Sequence, residues 1–89
     1  LRNNISINTI RKEINEWDPI DLLDIAPNDE YECEIKAIFD RLSKYAEIDK
    51  NIVSSVICVV FAREFGSTFT NNYNTASCVP IAEKIIGGE

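Results

Sequence analysis

From Ile52 to Phe65 the chain is apolar on most helical faces, and it stops at Gly66; no other stretch constrains the fold as tightly. The β-branched centre, Val56 to Val60, has the composition of a buried strand. Length decides against that, because strands usually run about five or six residues and this pattern persists for about fourteen. It is read as a helix with Asp49 as its cap, and a helix apolar on most sides belongs at the centre of a bundle.

The flanking segments supply helices to pack around it. Ile7, Ile10, Ile14 and Trp17 recur at helical spacing behind a Ser6 or Asn8 cap, predicting a helix over 7–17 with a Lys12/Glu16 pair on its outer side. Asp18-Pro19 then breaks the chain, with Asp18 as N-cap of a short helix over 19–25 that ends at Ala26-Pro27-Asn28. A further start at Asn28 or Asp29 leads into Tyr31, Ile35, Ile38, Leu42 and Tyr45, whose alternating spacing of four and three predicts a helix over 29–46. Glu32, Lys36, Asp40 and Lys44 form a charge ladder along its outer side.

Ser67 to Thr75 reads as a polar loop whose two aromatics either fold back on the core or serve binding. The last helix spans about 75–86 on Val79, Ala82, Ile85 and Ile86, with Gly87 as its C-cap. Pro80 fits only within a first turn, so this helix begins as late as Ser77 or Val79. The fold class is all-α: one domain over 1–89, a compact bundle of about four main helices plus the short helix at 19–25.

Charge is distributed unevenly over this framework. Residues 17 to 35 hold seven acids and no base, while the other 70 residues carry nine Lys/Arg and eight Asp/Glu, so the one segment supplies the whole net charge of −6. An acidic chain is repelled by phosphate backbones and anionic lipid heads, which argues against nucleic acid and membrane as direct partners and favours a basic protein. The longest apolar run is too short to span a bilayer. The chain opens at Leu1 and holds no Met, which leaves open a native segment ahead of it.

The residue inventory argues against catalysis. There is no His, so the commonest general base and every nucleophile arrangement built on it are missing. Cys33 lies between two glutamates that disfavour its thiolate. Three cysteines without C-x-x-C spacing form neither a disulfide framework nor a zinc site; they read as free thiols in a reducing cytosol, with Cys58 a small core residue. Asp18, Asp21, Asp24 and Asp29 superficially suggest a calcium loop, but their spacing is wrong and Leu23 stands where such a loop needs Gly. No cofactor is expected, since phosphate-cradling glycine motifs are also absent.

Protein recognition remains. Asp18 and Asp29 read as caps, and Glu32 as paired with Lys36. Asp21, Asp24, Glu30 and Glu34 are not absorbed in this way. Glu30 and Glu34 repel each other at i, i+4, and Glu34 lies beyond the first turn where the helix dipole would favour it. These four acids are the candidate partner-binding face, with Tyr31 and Tyr73 as candidate aromatic anchors.

The stretch Trp17-Asp18-Pro19-Ile20, followed by Pro27-Asn28-Asp29-Glu30-Tyr31, resembles the W-D-P-I and P-x-D-E-Y signature of a small all-helical bacterial family known mainly from Bacillus-type bacteria, and the likeness runs from about Ile10 to Ile86. Its founding members carry no assigned activity. Small acidic domains of this kind are also similar to the immunity proteins encoded beside toxins of contact-dependent growth inhibition and other polymorphic toxin systems. The resemblance implies helices and a cytoplasmic protein that neutralises a toxin, often a nuclease, by a stoichiometric complex; it supplies no contact residues. The alternative is a cytosolic interaction or scaffolding domain without a toxin partner, and either reading leaves a homodimer open.

Overall fold

The computed structural model describes residues 4–20 and 30–87. Among them the chain is all-α, with no strand. Helix α1, Ile7–Trp17, starts at Ser6, whose hydroxyl accepts from the N–H groups of Asn8 and Thr9 at 3.1 and 3.4 Å, filling two of the donors a helix start leaves open. It ends at Asp18 in the left-handed region, φ 47°, with the Asp18 N–H donating to the Ile14 carbonyl. The sequence makes Asp18 the N-cap of a following helix; the structure makes it the C-terminal cap of α1. Pro19 and Ile20 form a turn, and the rest of the expected 19–25 helix lies outside the described residues, as do the Asn28 and Asp29 caps.

Helix α2, Glu32–Leu42, is shorter at both ends than the expected 29–46. Tyr31 takes the N-cap position without a side-chain cap. At the other end Lys44 and Tyr45 donate to carbonyls three residues back, and this tighter turn ends the helix. Tyr45 therefore leaves the apolar stripe and is 44% exposed.

Helix α3, Lys50–Phe65, has the expected bounds, with Asp49 accepting from the Ile52 N–H at 2.8 Å. Gly66 at φ 54° and ψ −133° closes α3 and starts α4, Ser67–Thr70, within the segment read as a loop. A 3₁₀ turn over Ala76–Cys78 leads into α5, Val79–Gly87, so Pro80 stands in the first turn and Gly87 is the last helical residue. Asn74 Oδ1 accepts from the Ser77 N–H at 2.9 Å while the Asn74 N–H donates to Ser77 Oγ at 3.3 Å, a reciprocal cap that sets this start.

Four helices close a ring: α1 packs on α2 and α5, and α3 packs on the same two from the opposite corner. The core is filled by Ile10 and Ile14 of α1, Ile35, Ile38 and Leu42 of α2, Val53, Ile57 and Phe61 of α3, and Ala82 and Ile85 of α5. Helix α3 touches α2, α4 and α5, yet it occupies a corner rather than the bundle axis: Val59 is 44% exposed, and Cys58 is half-buried. The fully buried cysteine is Cys78, whose thiol burial pushes up to about 12. The radius of gyration is 12.1 Å, matching the roughly 12 Å of a fully compact chain of this length.

An aromatic cluster joins α1 to the opposite corner. Phe61 stacks on Phe65 and Phe69 at 5.7 and 5.4 Å, and Trp17 meets Phe61 edge-on at 5.8 Å. Tyr73 stacks on Phe69 at 4.9 Å, so both aromatics of the 67–75 segment turn inward, with Phe69 fully buried. Among the described residues no helix is long and apolar enough to cross a membrane.

Candidate functional site

Two structural features bear on the acidic stretch. The first is its neck. The Tyr31 hydroxyl donates to Asp18 Oδ1 at 2.6 Å and accepts from the Ile20 N–H at 3.1 Å, and the Tyr73 hydroxyl donates to the Pro19 carbonyl at 3.2 Å. Trp17 meets Tyr73 edge-on at 5.3 Å. Two tyrosines thus hold Trp17-Asp18-Pro19-Ile20 against the start of α2. Each hydroxyl carries its ring as core and its oxygen as a polar hook, the arrangement a buried tyrosine needs.

This placement corrects the reading of Tyr31 as an exposed anchor: it has no exposed surface, because its ring is the plug beneath the neck. Tyr73 is half-buried, with ring and hydroxyl both engaged. Glu30 is exposed, consistent with a contact role. Asp21 and Asp24 lie outside the described residues.

Glu32 also departs from expectation. Its carboxylate takes a two-pronged bond from Arg11, Nε to Oε2 at 2.8 Å and Nη2 to Oε1 at 3.0 Å, rather than resting on Lys36. The Arg11 hydrogen bond holds the Glu32 carboxyl below its usual range, and Glu32 in turn raises the Arg11 guanidinium. The fork geometry of guanidinium on carboxylate makes this pair more directional than a lysine contact. It clips α1 to the first turn of α2. Lys12 is drawn to Glu13, at 3.8 Å, rather than to Glu16.

The second feature is a cleft between α2 and α3. Cys33, Glu34, Ala37 and Arg41 form one wall and Val60, Arg63 and Glu64 the other, around a volume of about 210 Å³. Glu34 is 5% exposed, which takes it out of the candidate partner-binding face, and its Oε1 is buried with no hydrogen-bond partner. Burial raises the Glu34 carboxyl above its usual range; its own backbone N–H opposes this, and the negative charges of Glu64 and Glu30 add to the rise. No ion pair joins Glu34, Glu64, Arg41 and Arg63 among the described residues. The sequence reading misses Arg41, Arg63 and Glu64, because their meeting depends on the register of α2 against α3. One signal does point there: Glu34 has Ala37 and Ile38 at i+3 and i+4 and Glu30 at i−4, so its own helix offers it no cation.

Chemically this arrangement suits recognition. Two carboxylates and two guanidiniums face one space, and the described residues contain no group of three side chains that could hold a metal ion. Among the described residues, fold and surface together define a small helical bundle in which Tyr31 and Tyr73 hold residues 18–20, with a charged cleft between α2 and α3. No protein-family model matches the chain, and neither the curated proteins nor the solved structures contain a significant match to it.

Proposed function

We propose that this protein is an immunity protein, which binds a cognate toxin domain of nuclease type and neutralises it in a stoichiometric complex through the acidic segment. One observation carries the reading: nineteen consecutive residues hold seven acids and no base, and so account for the whole net charge. Nucleases present basic surfaces to phosphate, and an acidic segment is complementary to such a surface.

The fates of the individual acids narrow the contact. Asp18 is engaged by Tyr31 and Glu32 by Arg11, whereas Glu30 is exposed beside the cleft that Glu34 lines.

Equimolar addition of this protein to the toxin domain encoded beside it should abolish the toxin's activity; full activity in its presence would sink the proposal. Charge reversal of Asp21, Asp24 and Glu30 to Lys should slow association by about tenfold or more at low salt and flatten its salt dependence. An interaction domain without a toxin partner would keep the salt dependence and leave every toxin active.

A further inference from the structure

Charge decides which face of this molecule can meet another copy of itself. Two copies at −6 each repel one another, and a face with an excess of acid adds to that repulsion. The α2–α3 face is balanced instead. Glu34 and Glu64 stand against Arg41 and Arg63 around one cleft, and among the described residues none of the four belongs to an ion pair. Arg63 and Glu64 are exposed, and Arg41 is half-buried.

The face also has opposite signs at its two ends. Helices α2 and α3 are joined by the short segment 43–49 and run antiparallel, so Arg41, in the last turn of α2, lies at the joined end. Glu64, in the last turn of α3, lies at the far end, where its charge reaches Glu34 in the first turn of α2. Seven residues of helix set Glu34 and Arg41 about 10 Å apart. The middle is apolar: Ala37 and Val60 line the cleft, and Val59, left 44% exposed, lies one turn before Arg63 on the same side of α3.

We infer that the α2–α3 face is the interface of a homodimer, in which a two-fold axis passing close to Ala37 and Val60 lays Glu64 of each copy on Arg41 of the other. In such a contact one patch meets itself reversed, so a patch with acid at one end and base at the other is complementary to its own copy. Each carboxylate then gains the cation that its own chain does not give it, and Val59 is drawn out of water. The ion pairs chiefly fix the register. The small apolar centre makes the dimer weak, with a dissociation constant on the order of 100 µM.

Sedimentation equilibrium of the whole chain tests this without any other partner. At about 0.15 M salt, where repulsion between net charges is screened, the mass should rise from 10.1 kDa toward twice that value as concentration increases from about 10 µM to 1 mM. A mass of 10.1 kDa throughout would overturn the homodimer. Arg41→Glu and Glu64→Arg should each weaken self-association by about tenfold or more, because each sets like charges against one another. An equimolar mixture of the two variants should restore it, since both contacts of the mixed dimer again join a carboxylate to a guanidinium. Neither side chain is paired within the chain, so both variants should keep the wild-type circular dichroism spectrum. Single variants that associate like the wild type, or a mixture of folded variants that stays monomeric, would remove this face as the interface.

Discussion

Glu34 and Glu32 sit two residues apart on α2 and titrate in opposite directions, because one loses water without gaining a cation and the other gains Arg11. The consequences for stability follow in opposite senses. The folded-state value of Glu34 lies above its unfolded one, so its charge costs nothing while both states are protonated, and the cost appears as pH rises through the folded value. Glu34→Gln keeps the shape and removes the charge, so it should be more stable than wild type at pH 7. That advantage should vanish below the ordinary carboxylate range, as urea midpoints measured across pH would show. Glu32 runs the other way: its stabilisation is present above the unfolded value and is lost as pH falls through the depressed folded one, so Glu32→Gln should lose stability at neutral pH and converge with wild type in acid.

Individual elements owe their limits to short-range chemistry. Ser6, Asp49 and Asn74 each place an oxygen over the opening N–H groups of a turn, and Gly66 reverses the chain between α3 and α4. A Cβ at Gly66 would meet nothing within 4 Å, so the barrier to substitution there is backbone conformation alone. Gly66→Ala should accordingly cost about 1–3 kcal/mol, the range for a side chain held in a sparsely populated region. The thermal midpoint should drop while the far-ultraviolet helical signal of the folded state stays unchanged. Loss of signal instead would mean that α4 had detached, taking Phe69 out of the core.

For the whole molecule the neck is decisive, since it ties the end of α1, the start of α2 and the 67–75 segment to one aromatic cluster. The Tyr31 ring packs on Phe61 and Phe65, while its hydroxyl serves Asp18 and Ile20. Tyr31→Phe keeps the ring and removes the hook, and it should cost about 1 kcal/mol, the net worth of a hydrogen bond, by taking one partner from the half-buried Asp18 carboxylate and Ile20 N–H. Amide exchange should accelerate at Ile20 more than in α3 or α5; equal acceleration throughout would show that the neck merely shares global stability. Helix boundaries were legible in the sequence where a cap or breaker stood alone, as at Ser6, Asp49 and Gly66. They were misread at Tyr31, where ring and hydroxyl are taken up by the core and the neck, and at Tyr45, where a tighter last turn ends α2 early. Of the candidate contact residues, Glu30 alone among those described keeps the exposure its reading requires.

The division has one physical cause. Periodicity, caps and breakers act within about one helical turn, so the sequence by itself determined an all-α chain, the span of α1 and α3, the position of Pro80 in a first turn, and the concentration of charge between 17 and 35. Which faces meet depends on how α2 lies against α1 and α3, and that only the tertiary structure decided. It gave Glu32 to Arg11, sent Tyr31 inward to hold the neck, and buried Glu34 in a cleft opposite Arg63 and Glu64, leaving a carboxylate that its own helix could not satisfy.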